Sequence, residues 1–376
     1  MIRICEPCHG AVLNWRHGEL TAEGLKITVE GEAPLGEHVA VNGTPAQRLG
    51  ERFRASVWLK ERETDLVAVC HGLQGRAEHS VRVVWDRHSR PRYRFSIDDN
   101  SFFLRDIAAK KYRSLFDCFY LAMLRDLNRK YGTRFVLNLF FTTPENDFNL
   151  SQFPTDYRGE WADNAAWLKL SFHAHAEFPN RPYERASARK LAEDFDRVAG
   201  EILRFAGEES WSPPTVIHWG MVHPSAWPAL TARGVRVLSG FFRPDVGSDY
   251  TSDGEDYGPA PVLRYDVNYL LDTRRSEYLS RHDALKDFAS GLVFSRCDIV
   301  CNNTPVDQVV STLEPLTRDP NNAEIMDLFT HEQYFWPFYH NYRPDHAARV
   351  EAAIRFCAER GYEPVWFHEG FLGVPE

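Results

Sequence analysis

No stretch of this chain approaches the roughly 18 consecutive apolar residues that a membrane-spanning helix requires, so no membrane partner is expected. Positive charge is also scarce: 44 Lys and Arg face 53 Asp and Glu, a net charge of −9. That balance opposes the attraction to phosphate on which nucleic-acid binding depends, which argues against nucleic acid as a partner. Met1 to Cys8 lacks the basic segment and the apolar run of a secretion signal, and the expected location is the cytoplasm. The pairs Cys5/Cys8 and Cys297/Cys301 lack the second CxxC of a structural zinc site, so the cysteines read as free thiols. What remains is an ordinary globular composition, 43% hydrophobic and 26% charged over 376 residues, long enough for two domains.

The periodicity changes once along the chain. Residues 1–88 read as short strands with turn signals between them. Leu25 to Val29 alternates, His38 to Val41 leads into Asn42-Gly43, and Phe53 to Leu59, Leu66 to Cys70 and Val81 to Trp85 continue the pattern. This predicts an all-β sandwich. The run GLKITVEGEAPLGEHVAVNG, then Phe53 and LVAVCHG, resembles bacterial immunoglobulin-like modules that accompany carbohydrate-active enzymes.

Residues 89–376 alternate strands with helices and carry the acidic excess. Arg92 to Ile97, the nearly unbroken apolar run Phe135 to Phe141, and Trp167 to Phe172 read as strands buried on both faces. Val216 to Trp219, Val235 to Leu238, Leu292 to Phe294, Ile299 to Val300, Asp327 to Thr330 and Pro364 to Phe367 supply further candidates. Leu191, Phe195, Val198, Ile202 and Phe205 form a helix stripe ended by Gly207. About seven such units, with no GxGxxG after the first strand, predict an α/β fold: a distorted parallel (β/α) barrel behind the smaller sandwich. Arg243 to Pro261, rich in Gly, Asp and Pro, reads as a surface loop.

In a parallel barrel, chemistry collects where strands run out. Here the apolar runs end in Asp98-Asp99-Asn100, in His173-Ala174-His175-Ala176-Glu177, in His218-Trp219-Gly220 and in Thr330-His331-Glu332. Two adjacent carboxylates repel each other unless a cation or a shared proton relieves them. A turn at Asn100 would aim both at one centre: one aspartate ligates a divalent ion, and its neighbour takes a proton from the metal-bound water. A histidine and a carboxylate from the third strand, with Asp99, would complete a facial set of three ligands. His331 is placed to protonate a leaving group. Trp219, Tyr334, Phe335 and Trp336 lie beside these residues, and aromatic rings in an open cleft stack on sugar faces.

The segments SIDDN (Ser96 to Asn100), HAHAE (His173 to Glu177), VIHWG (Val216 to Gly220) and FTHEQY (Phe329 to Tyr334) follow one another in an order that resembles the polysaccharide deacetylase (NodB-like carbohydrate esterase) family over about Arg92 to Gly370. The resemblance implies removal of N- or O-acetyl groups from a carbohydrate through one divalent ion, usually zinc. It makes Asp98 the general base, Asp99 and His173 metal ligands, and His331 the general acid. Glu177 stands where the family has a second histidine, giving an Asp-His-Glu set that would also suit harder metals, unless His175 turns inward instead. The family's arginine near the fourth strand is missing, and His218 occupies that neighbourhood. Asn100 replaces a glycine, which asparagine's tolerance of left-handed turns permits. His218, Trp219, Glu332 and Tyr334 are the expected substrate contacts. Two other readings stay open: a metal-free barrel glycoside hydrolase using two carboxylates, and an inactive carbohydrate-binding or scaffolding protein.

Overall fold

A computed structural model describes residues 1–72, 75–242 and 267–373 and divides the chain into two compact units. The expected loop at Arg243 to Pro261 lies outside the described residues. The first unit comprises Met1–Ser89 and, unforeseen from sequence, Ala284–Val293. The excursion belongs there because Leu285 bridges Ala11 in antiparallel fashion and the Lys286 N–H donates to Gly10 O at 2.7 Å. This unit holds two five-stranded sheets. One is built on Gly24–Glu32, paired with Arg3–Glu6, Gly18–Thr21 and Arg52–Leu59; the other on Gly75–Trp85 and Glu63–Gly72. Along Arg52–Leu59 every second residue is buried, as a strand with one covered face requires. Asn42 and Gly43 both take positive φ, +48° and +79°, and join His38–Val41 to Thr44–Pro45 in a tight hairpin.

The second unit is Arg90–Asp283 with Phe294–Glu376. Its centre is a parallel sheet of β1 (Arg92–Asn100), β2 (Phe135–Phe140), β3 (Leu168–Ala174), β4 (Ile299–Val300), β5 (Ile325–His331) and β6 (Glu363–Pro364). The order is β3-β2-β1-β5-β4, with β6 beside the first residues of β1. Helices α1 (Phe102–Lys110), α2 (Phe119–Tyr131), α3 (Ala188–Phe205) and α4 (His346–Glu359) belong to the same unit. Both faces of the central strands are covered: every residue of β1 and β2 is buried, the nearly apolar β2 and also the polar side chains of β1.

The expected barrel is not formed: among the described residues the parallel sheet is open. Three of the predicted staves fail to join it: Val216 to Trp219, Val235 to Leu238, and Leu292 to Phe294, where the strand Val293–Arg296 pairs with Val237–Gly240 instead. Val216 to Trp219 is no strand, because Trp219 (φ +63°) and Gly220 (φ +53°) turn the backbone into the left-handed region, and a Cβ on Gly220 would meet Val267 Cγ1 at 2.8 Å. Val237–Gly240 forms a strand of four residues but lies in a separate three-stranded sheet.

A buried ion pair ties the sheet to its surroundings. Arg94 on β1 donates through Nε to Asp327 Oδ1 on β5 at 2.8 Å and through Nη1 to Thr215 Oγ1. Asp327 Oδ2 accepts from Ser239 and Ser295, at 2.5 and 3.1 Å. With both charges fully enclosed, the pair depends on these hydrogen bonds to offset desolvation.

Candidate metal centre

The site forms at the carboxyl ends of β1, β3 and β5, and two strand irregularities aim its side chains. Between β1 and β2 the register runs Ile97↔Leu137 and then Asn100↔Leu139, so Asp98 and Asp99 together oppose the single residue Asn138. Between β2 and β3 it runs Leu139↔Phe172 and then Phe140↔Ala174, leaving His173 as the extra residue. Such bulges re-aim side chains that strict alternation would send to opposite faces. The turn expected at Asn100 comes one residue earlier: Asp99 itself takes φ +58°, which costs an L-residue about 1–2 kcal/mol. Asn100 is instead the clamp. Fully buried, it donates from Nδ2 to Ile97 O at 2.6 Å and Asn138 O at 3.2 Å, and accepts at Oδ1 from the Tyr120 hydroxyl at 2.8 Å.

Asp99, His173 and His218 form a buried group that could hold a metal ion. Asp99 Oδ1 lies 3.1 Å from His173 Nε2 and 3.4 Å from His218 Nδ1, and the two ring nitrogens are 3.2 Å apart. Ligand atoms of a tetrahedral site with bonds of 2.0–2.1 Å sit about 3.4 Å from one another. The far side of each ring is committed elsewhere. His173 Nδ1 donates to Val216 O at 3.3 Å and His218 Nε2 to Glu177 O at 3.1 Å. A carbonyl oxygen only accepts, so these nitrogens carry the proton of each neutral ring, and the nitrogens facing Asp99 are the ones that take up a further proton or a cation. A ring N–H donated to a backbone carbonyl is the usual support of a metal-ligating histidine. Phe140 packs against both rings, with centroids 5.3 Å and 4.9 Å away.

The electrostatics agree. Burial alone would raise the Asp99 carboxyl, but the His331 charge and hydrogen bonds from His173 and His218 hold it well below the usual range. For His173 burial pulls downward and is outweighed by the charges of Asp98 and Asp99, so the ring holds a proton more tightly than an ordinary histidine. His218 is lowered, by burial and by its neighbour His173. A cation at the centre would take the place of the His173 proton.

Asp98 is buried and accepts at Oδ1 from Asn138 Nδ2 at 2.6 Å. His331, directly across the ladder from Asp98, turns Nε2 toward Asp99 Oδ2 at 3.9 Å. Its Nδ1 meets Asn302 Oδ1 at 2.9 Å. Tyr334 stands beside His331, with ring centroids 6.0 Å apart. Trp219 is half-buried, with the Arg181 guanidinium 5.6 Å from its ring.

Three expectations require correction. Glu177 is not in the converging set: its Oε2 accepts from Gln333 Nε2 at 2.9 Å, and burial together with the Asp99 charge pushes the carboxyl up to about 8. Nor does His175 enter, since it stacks on Phe141; His218, expected as a substrate contact, supplies the second imidazole. Glu332 is not arranged to meet substrate. Its Oε2 accepts from the backbone N–H of Ser101 and Phe102, and its Oε1 from that of Phe103 and from Trp336 Nε1. These bonds cap the start of α1, where four N–H groups lack intrahelical partners. Phe335 and Trp336 are likewise buried. The sequence reading passed over Asn138 and Asn302. Asn138 is a polar residue inside the apolar FVLNLF, and Asn302 follows β4, both visible signals.

No family model and no curated protein matches this chain. Among solved structures it is similar to the fibronectin(III)-like modules of Clostridium thermocellum CbhA, at 15% identity over 27% of this chain and 57% of that one, TM-score 0.19. It is also similar to the titin domains z1z2 in complex with telethonin, at 11% identity over 27% of this chain and 58% of that one, TM-score 0.18. The chain thus spans under two thirds of either structure. No helix among the described residues is long and apolar enough to cross a membrane.

Proposed function

We propose that this chain is a metal-dependent hydrolase that removes acetyl or other acyl groups from a carbohydrate. The observation that carries the reading is the convergence of Asp99 Oδ1, His173 Nε2 and His218 Nδ1, with both remote ring nitrogens donating to main-chain carbonyls. One carboxylate and two imidazoles suit zinc better than the harder ions that a second carboxylate would favour. A divalent cation bound there supplies Lewis acidity toward an acyl oxygen and toward water. Asp98, oriented by Asn138, takes a proton as water adds to the acyl carbon. His331 delivers one from Nε2 to the departing sugar nitrogen or oxygen. Tyr334 and Trp219 would meet the sugar. The order of the four strand-end motifs, which resembles the polysaccharide deacetylases, supports the same assignment, with residue 218 supplying the second histidine. Seven free thiols fit a reducing compartment such as the cytoplasm.

Elemental analysis of the purified protein, paired with acetate release from a panel of N- and O-acetylated sugars, tests the reading. Zinc at one equivalent, lost in Asp99→Ala together with acetate release, is the expected result. Activity unaffected by chelator or by Asp99→Ala would falsify it.

A further inference from the structure

We infer that Asn302 is a positioning residue for this reaction: its side-chain carbonyl locks His331 into the Nδ1–H tautomer, so that the exchangeable proton is confined to Nε2, the nitrogen facing Asp99. The inference rests on the hydrolase reading above, but its structural core can be measured without turnover.

Asn302 is 1% exposed and lies in the turn Cys301–Asn303 that follows β4, next to β5 in the sheet. Its main-chain oxygen accepts from Arg349 Nη1 on α4 at 3.1 Å, which pins the backbone. The amide turns Nδ2 toward Asn303 and Oδ1 toward Thr330 and His331. Nδ2 donates to Asn303 Oδ1 at 2.9 Å, leaving Oδ1 to accept from Thr330 Oγ1 at 3.3 Å and to meet His331 Nδ1 at 2.9 Å. An amide oxygen has no hydrogen to give, so Nδ1 must be the protonated nitrogen in the neutral ring. Protonation then adds a hydrogen only at Nε2, and deprotonation removes it only there.

A carboxylate could fix the tautomer equally well, but it would add a negative charge on the far side of the ring that faces the Asp99 carboxylate. The amide orients without that repulsion. This is the base-and-orienter logic of catalytic dyads with a neutral orienter.

The test uses the full chain loaded with zinc. Long-range proton–nitrogen NMR of 15N-histidine protein, with His331 assigned through the His331→Gln spectrum, reads the tautomer directly. Wild type is expected to show Nδ1–H, Asn302→Ala to move toward Nε2–H, and Asn302→Asp to keep Nδ1–H. Acetate release from an N-acetylglucosamine oligomer should show kcat lowered about 10- to 100-fold in Asn302→Ala with KM little changed. Asn302→Asp should turn over faster than Asn302→Ala. An Nε2–H ring in the wild type overturns the inference whatever the variants do, and so does a fully active Asn302→Ala. If the tautomers behave as expected but the wild type releases no acyl group from any acetylated sugar, the hydrolase reading fails while the locking of His331 stands.

Discussion

Replacing Asn100 by alanine tests whether the bulge that aims Asp98 and Asp99 is held by one side chain. The substitution removes three buried hydrogen bonds, to Ile97 O, Asn138 O and the Tyr120 hydroxyl, and offers nothing in their place. At about 1 kcal/mol for each bond, and more where a buried partner is left unmet, the loss comes to about 3–5 kcal/mol. Tyr120→Phe takes away only one of the three and should cost about 1 kcal/mol. In combination the two should be less than additive, because Asn100→Ala has already removed the hydroxyl's partner. Urea unfolding of the metal-free protein reads this as a midpoint lowered by about 1–2 M. Since Asp99 sits at φ +58° only while the bulge is clamped, zinc affinity should fall about 10- to 100-fold as well. A midpoint within roughly 0.3 M of wild type, together with unchanged zinc affinity, would mean that the bulge holds itself, and the account of how this site is aimed would be wrong.

His218→Ala should weaken zinc binding by at least about 100-fold, more than loss of an outer-shell partner, whereas Glu177→Gln should stay within about 10-fold; zinc competition titrations that rank them the other way restore Glu177 as a ligand. Zinc must displace the His173 proton, which is held above the ordinary histidine pKa, so apparent affinity should rise with pH by up to about tenfold per unit until that proton is gone and then level off. A flat profile from the acid side through neutrality would show that no proton is displaced. Glu332→Gln must turn an amide NH2 toward two N–H donors in either orientation, because each carboxylate oxygen accepts from two, and should cost about 2–6 kcal/mol in the same urea assay. A neutral effect would remove Glu332 from its role as the cap of α1.

The strand-end rule singled out Asp99, His173 and His218, the residues that converge, because it looked for titratable side chains where apolar runs end. What it could not find was aim. His173, His175 and Glu177 are equivalent to a reader who assumes regular alternation, and the irregularity that makes His173 the extra residue leaves no mark in HAHAE. Glu332 illustrates the complementary limit. Next to His331 in sequence, it looks like a site residue, yet its partners are the amides at Ser101 to Phe103, which no local pattern links to it. Closure of the sheet was overestimated for a related reason: VIHWG is apolar enough for a strand, and only the crowding of Gly220 against Val267 shows that the chain turns there.

An open sheet can still gather these groups because the distances to be bridged are short. Neighbouring strands lie about 4.8 Å apart, so β3 and β1, with β2 between them, are separated by about 10 Å at the level of the ligands. A histidine reaching inward from β3 and an aspartate turned out of line on β1 close that gap, provided that β2 leaves room and gives support. It does both. Asn138 serves two purposes, donating to Asp98 and accepting from Asn100, while Phe140 lies against both imidazoles and limits how far they can rotate. The middle strand therefore contributes no ligand, but it fixes the three that surround it, and the geometry of the candidate centre depends on β2 as much as on the strands that carry Asp99 and His173.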